Sequence, residues 1–356
     1  MRNLRGSEGG SRLRLPDIKL HDFLADSNLV RLAFIMIASF TIMAVMNPAL
    51  YLTVRNFQSM AFQFPEIGLI AIAVMIAMLL GGIDLSVVGI ANLSTIVAAY
   101  TMIALEPTLG AWGATGVGVL TALTIGVICG AINGALIAWI GIPAILTTLG
   151  TMELYTGIAI FLTGGSAVFG LPEPYGMIGS ASIGGFFPAP LLIFIVIVAL
   201  CMLVLQRKKF GREIYLMGTN RKTARFTGIF TERTIVKAHM LGGLLASCGG
   251  IIMSSRAVSA KADYGFSYTI MAILVAVLGG TNPFGGFGKV TGVVMAIMTI
   301  QFLASGFNIL RADAYFRTFI WGALLVAMLL INYYGNKRSE KRQIKALHAK
   351  EEDQPA

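Results

Sequence analysis

The chain has 356 residues, of which 56% are hydrophobic and only 12% charged. Soluble domains carry roughly 25% charged residues, so this composition, with a mean hydropathy of +0.79, excludes one large soluble core and points to a polytopic membrane protein. The net charge of +10 gathers in the first 31 residues, in Arg207 to Lys237 and in the tail from Lys337 on, as cytoplasmic loops do; a nucleic-acid partner is not implied.

Residues 1–31 read as a cytoplasmic segment, in which 12–31 suits an interfacial helix entering the first span or else a solvated basic lead. No cleavable signal is expected, because the first 30 residues are polar and the first apolar run is long enough to span. A crossing needs ~20 apolar helical residues. Ten runs qualify, near 32–51, 62–80, 87–105, 112–139, 142–163, 189–205, 235–254, 267–280, 290–310 and 316–334. The eighth is short and ends at Gly279-Gly280, with Pro283, Gly285, Gly286 and Gly288 following, so a break or re-entrant turn is expected there. Ten spans put both termini on one side, which the basic clusters mark as cytoplasmic. The expected fold class is thus all-α, polytopic, with about ten transmembrane helices. The expected domains are that N-terminal segment, a transmembrane domain over 32–334 and a basic cytoplasmic tail over 335–356.

Between the second and third runs stands Gly81-Gly82-Ile83-Asp84-Leu85-Ser86. An acid between two apolar runs is costly and needs a reason. Two readings stay open: Asp84 or Ser86 caps the next helix, or the stretch is a broken-helix element lining a transport path. The topology puts it at the cytoplasmic end of the second span. In the fourth run Gly118, Ala122, Gly126, Gly130, Gly134 and Ala138 recur every four residues, a flat ridge for close helix packing. Gly242, Ala246 and Gly250 repeat the device in the seventh. Polar candidates for a path or gate are Asp84, Ser86, Asn133, Thr147, Thr148, Glu153 and Asn308, while Gln301 is a further polar residue of the ninth run. Glu153 has the bland alternative of snorkelling or structural pairing.

The loop 206–233 is basic, and Thr219 or Asn220 can cap a short helix that Gly228 ends. It reads either as a solvated positive-inside loop or as a docking surface for a protein partner. Cys129, Cys201 and Cys248 lie in apolar spans and read as packing residues, with no metal or disulfide spacing. Gly288-Lys289 is followed by valine and lacks the rest of a phosphate loop, and no His-Glu-x-x-His occurs, so an enzyme is the weaker hypothesis.

Taken together, Gly-Gly-Ile-Asp-Leu-Ser at 81–86, Gly130-Ala131-Ile132-Asn133-Gly134, Thr148-Leu149-Gly150-Thr151-Met152 with Thr163-Gly164-Gly165, Gly211-Arg212 with Ala224-Arg225 and Gly228-Ile229, Gly279-Gly280-Thr281 with Phe284-Gly285-Gly286, and Asn308 carry a resemblance. Over roughly residues 60–335 the chain resembles the permease subunit of bacterial ABC importers for monosaccharides, the ribose and xylose permease group. That resemblance implies an inner-membrane permease paired with a second copy, as homo- or heterodimer. It implies a separate ATPase that uses the ATP, so that this chain binds no cofactor, and a sugar-binding protein outside. It also implies that 211–229 holds the coupling helix, with Gly211, Arg212, Gly218, Asn220, Ala224, Arg225 and Gly228 in the coupling loop. Val88 stands where the family usually has glycine, and Arg221-Lys222 stand where relatives often carry an acidic pair; a matching acidic patch on the ATPase is expected. The alternatives are a proton-driven carrier using Asp84 and Glu153, or the same importer class carrying a sugar-like signalling furanone, a nucleoside or a branched-chain amino acid.

Overall fold

A computed structural model describes residues 27–313 and 315–330. The proposed interfacial helix over 12–31 falls almost wholly outside these residues, as does the tail over 335–356. The helices are α1 (Ser27–Met46), α2 (Pro48–Tyr51), α3 (Val54–Leu79), α4 (Val87–Ala135), α5 (Ala144–Thr163), α6 (Glu173–Ser180), α7 (Ala189–Arg207), α8 (Lys209–Thr219), α9 (Arg221–Phe226), α10 (Thr231–Ala257), α11 (Tyr268–Leu278) and α12 (Val290–Ile309). A last apolar helix, α13, spans Tyr315–Leu330. The strands β1 (Ser182–Ile183) and β2 (Phe187–Pro188) form one small antiparallel hairpin between α6 and α7.

Among the described residues seven helices are long and apolar enough to cross a membrane, with Val87–Ile140 counted once. That helix is in fact folded back on itself. Gly110 takes φ +69, and a Cβ on Gly118 would lie 2.2 Å from Cγ of Met102. Sixteen residues of straight helix would separate those two positions by about 24 Å. The two antiparallel arms of α4 correspond to the third and fourth apolar runs. The second arm ends in a π turn, Leu136–Ile140, stopped by Gly141 in the left-handed region.

The first helix runs earlier than its apolar run suggests, because Asn47-Pro48 interrupts it. Asn47 Oδ1 accepts from the Leu50 N–H and so starts α2 afresh. The helix α6 lies in a stretch that its composition leaves as loop, with Pro172 and Pro174 at its start. The helix α11 has 11 residues, about 16 Å, half of a ~30 Å hydrocarbon core, and stops at Gly279-Gly280.

The helix α3 is the centre of the bundle: every residue from Leu69 to Leu79 is buried. A helix apolar all round is what a many-helix core requires. Lipid gives little hydrophobic drive between helices, so close backbone approach must hold them. The ridge of α4 supplies it. A Cβ on Gly126 would sit 2.5 Å from the Gly243 oxygen, one on Gly130 2.2 Å from the His239 oxygen, and one on Gly134 2.6 Å from Cα of Val236, all on α10. Ala122 is fully buried along the same face, while Gly118 serves the fold-back within α4. On the other arm, Gly250 of α10 meets Ala91. Thus α10 packs along both arms of α4 and, on its other side, against α3.

Candidate functional site

Four of the polar candidates meet at the end of α3. Asp84 Oδ1 accepts from the Ser86 N–H at 2.9 Å and from the Ser86 hydroxyl at 2.6 Å. Ser86 Oγ accepts from Asn133 Nδ2 at 2.7 Å. Asn133 Oδ1 accepts from the Tyr155 hydroxyl at 3.1 Å, which also approaches the Cys129 carbonyl at 3.0 Å. Thr148 donates to the carbonyl oxygen of Ile83 at 3.0 Å and to that of Ala144 at 2.8 Å. Asp84, Ser86, Asn133, Thr148 and Tyr155 are all buried, so a donor chain from α5 through α4 ends on one carboxylate. Such chains polarise one another and tie their elements together. Ser86 makes no side-chain cap of its own; Asp84 holds the first N–H before α4. Neighbouring Thr147 is buried with its hydroxyl unpaired.

Two candidates stand apart. Glu153 is exposed on the outer face of α5. Asn308 is exposed near the far end of α12, where it accepts from Arg317, about 27 Å along the helix from Val290.

The Asp84 loop borders a cavity of about 190 Å³ whose walls include Gly81, Gly82, Gly141, Ile142, Arg221 and His239. Arg221 opens α9, so the basic loop reaches this cavity directly. Asn220 Oδ1 caps α9 through the Thr223 N–H at 3.0 Å, and Gly228 follows it at φ +82. Ala224 is buried beneath, while Arg221, Lys222 and Arg225 are exposed and Arg225 reaches Glu232 at 3.9 Å. Gly211 turns tightly against the Leu205 carbonyl, and Arg212 is exposed on α8.

A backbone junction fastens α8 to the end of α3. A Cβ on Gly218 would lie 1.9 Å from the Leu79 oxygen and 2.4 Å from the Gly286 nitrogen. The Gly286 N–H donates to that same Leu79 oxygen at 3.0 Å. The Tyr215 hydroxyl donates to the Gly288 carbonyl at 2.7 Å. Burial pushes the Tyr215 phenol up from its ordinary value. On the other side of the loop 281–288, a Cβ on Gly81 would lie 3.1 Å from the Phe284 oxygen. Motion of α8 therefore bears on the loop 281–288, on Leu79 and on the Asp84 loop in turn.

The sequence reading missed a second cluster. Glu66, in the middle of α3, is fully buried, and its Oε1 accepts from Arg256 Nη2 at 3.0 Å and from the Tyr268 hydroxyl at 2.7 Å. Oε2 of Glu66 is buried with no partner. The acid Glu66 inside the second apolar run was the signal; Arg256 lies just beyond the seventh run and reads as a loop residue until α10 is seen to run through Ala257. Among the described residues no three His, Cys, Asp or Glu side chains gather to hold a metal.

If the Asp84 carboxylate serves chiefly as an acceptor, Asp84→Asn retains transport, because an amide oxygen can still accept from Ser86. Asp84→Ala then loses it, since a stranded buried N–H costs about 1–3 kcal/mol. Uptake by cells carrying each variant checks this; loss with Asn as well would assign the role to the charge.

A mainly helical bundle with buried polar junctions at the helix breaks, a central apolar helix and a basic helical loop at one end is that of a multi-pass membrane protein. Residues 56–329 match the family described as branched-chain amino acid transport system / permease component, and the chain belongs to it. It is similar to the D-allose transport system permease protein AlsC of Escherichia coli (strain K12), 29% identical over 84% of this chain and 90% of that one. It is 32% identical to the autoinducer 2 import system permease protein LsrD of Photorhabdus laumondii over 83% of this chain and 88% of the relative. It is 33% identical to the ribose import permease protein RbsC of Bacillus subtilis (strain 168) over 81% and 88%. No solved structure matches. The chain is thus a multi-pass permease component of a bacterial plasma-membrane transport system.

Proposed function

We propose that the chain is the membrane-spanning subunit of an ATP-driven importer that moves a monosaccharide-like solute by alternating access. The observation that carries this reading is the junction of α8 with Leu79 and the loop 281–288. A helix outside the apolar spans, rich in basic neighbours, is bolted through backbone contacts to the end of the central helix. That is the arrangement an external motor needs if it is to open and close one end of a path. The permeases for allose, ribose and autoinducer 2 supply the class of cargo: small, neutral and many-hydroxyled. Hydroxyls of such a solute need scattered amides and hydroxyls rather than a fixed array of charge, and the groups around Ser86, Asn133 and Thr148 are of that kind.

In this reading ten crossings leave both termini in the cytoplasm. A separate ATPase docks on 206–233, a binding protein delivers cargo to the Arg256 end, and a second permease copy completes the path. Asp84 and Ser86 set the inner gate. A proton relay from Asp84 to Glu153 is not favoured, since Asp84 is bonded to Ser86 while Glu153 stands exposed on another face.

The exposed pair Arg221 and Lys222 calls for acidic residues on the ATPase. Replacing both by Glu is expected to abolish co-purification of the two subunits and ATP-dependent uptake. Unchanged assembly and uptake would remove the docking assignment. Calorimetry of the partner binding protein with a panel of sugars and furanones identifies the cargo.

A further inference from the structure

The outer half of α3 carries a face that the inner gate does not use. Arg55, Gln58, Ser59, Phe62 and Gln63 follow one another at helical spacing, and with Arg256 they line an open cavity of about 380 Å³. That volume lies at the small end of the range for sites that hold small molecules, about 300–1,000 Å³. Its wall offers guanidinium donors, two carboxamides that both donate and accept, and a hydroxyl. Phe62 adds one aromatic face of the kind that covers the C–H side of a sugar ring.

The set of donors and acceptors argues for the class of ligand. Arg256 is held from behind: Nη2 lies 3.0 Å from Oε1 of Glu66, and Nη1 reaches the Phe62 carbonyl at 3.4 Å. The arginine side chain is 33% exposed and the glutamate 1%. Its charge is therefore met by a buried carboxylate while its outer N–H groups face the cavity. A guanidinium so neutralised presents donors in a fixed fork without net charge of its own, which suits hydroxyl acceptors, and the charge left on the wall is that of exposed Arg55. One of the two amides is likewise set in place. Gln63 donates to Ser59 Oγ at 2.9 Å and accepts from Gln301 of α12 at 3.5 Å. One oxygen of Glu66 is still unpaired one turn further in.

We propose that this cavity is a second solute site, distinct from the Asp84 junction, in which Arg256, Gln58 and Gln63 bind the hydroxyls of one neutral monosaccharide-sized polyol. The site rests on the importer reading and names where the solute is held before the inner gate opens. Arg256 is the contact residue, and Glu66 with Tyr268 positions it.

The test uses the full chain in nanodiscs with Ser59→Cys as the reporter, an exposed wall position outside the three proposed contacts, since the native cysteines are confined to spans and two of the three are buried. Labelling by a charged thiol reagent is followed with D-ribose, D-allose, D-xylose, D-glucose and ribose 5-phosphate in turn. One neutral sugar is expected to slow labelling about tenfold at ten times its Kd. Added Arg256→Lys, which keeps the charge beside Glu66 but loses the fork, is expected to weaken that protection roughly tenfold. Added Gln63→Leu does the same, with the labelling rate of each variant without sugar as its own reference. Protection unaltered by either substitution, or given by the sugar phosphate alone, overturns the site. ATP-dependent uptake of a sugar that gives no protection overturns the site and leaves the importer reading standing. Uptake of a sugar driven by a proton gradient without any ATPase overturns the importer reading itself.

Discussion

Arg256→Met is expected to destabilise the folded chain by on the order of 3–5 kcal/mol, and Glu66→Gln by distinctly less. The two partners differ in burial, and that difference sets the order. Glu66 is 1% exposed and Arg256 33%. Removing arginine leaves a carboxylate deep in an apolar bundle with only the Tyr268 hydroxyl to meet it. Removing one partner of a buried pair costs about 3–5 kcal/mol because the other charge is stranded. Removing the glutamate's charge instead leaves a guanidinium that already touches open space, and screening there discounts the loss. Glutamine also keeps an oxygen for Tyr268 and Arg256. The double variant Glu66→Gln, Arg256→Met is expected to recover most of the loss, because no uncompensated charge remains. Equilibrium unfolding in mixed micelles reads all three. Equal losses for the two single variants, or no recovery in the double, would contradict the asymmetry.

Gly218→Val is expected to separate hydrolysis from transport. No side chain fits between α8 and the Leu79 carbonyl, where even a Cβ would lie at 1.9 Å. The loop 281–288 cannot retreat freely, since the Gly286 N–H is bonded to that carbonyl and Gly285 abuts Gly218 from the other side. Valine therefore pushes α8 off the end of α3 while leaving the exposed face of α9 in place. Under the proposed reading the ATPase still docks and hydrolyses ATP, and uptake falls by an order of magnitude or more. Gly228→Ala is the contrast. Its cost is about 1–2 kcal/mol for a left-handed residue, no neighbour lies within 4 Å, and uptake persists. Parallel ATPase and uptake measurements on both variants decide it; coupled transport in Gly218→Val would show that the junction carries no motion.

Much of this architecture can be read from local pattern. Apolar runs of membrane length became both arms of α4, α5, α7, α10 and α12 to within a few residues, while α3 begins eight residues before its run. Asn220 and Gly228 bracket α9 because capping depends on a few consecutive residues. The four-residue repeat of small side chains announces a close helix contact, and Gly126, Gly130 and Gly134 make it with α10. What pattern does not carry is facing and partnership. Glu153 and Asn308 are polar residues in apolar spans like Asn133, yet only Asn133 turns toward Ser86. The Glu66–Arg256 pair joins residues 190 apart in sequence, and the meeting of Gly218 with Gly286 depends on how three helix ends converge. Such contacts follow from the packed topology, which no single segment encodes. The turn at Gly110 is legible in part, since the third and fourth apolar runs part between 105 and 112; the φ of +69 at Gly110 and the contact of Gly118 with Met102 place it.

The central claim is that this bundle is moved by an ATPase acting on α8 and α9. The direct measurement is sugar uptake into liposomes holding the permease with its ATPase and binding protein, with ATP on the ATPase side and no ion gradient. Uptake that requires ATP, survives a protonophore and stops when the ATPase is left out is the predicted result. Uptake driven by a proton gradient through this chain alone would contradict it.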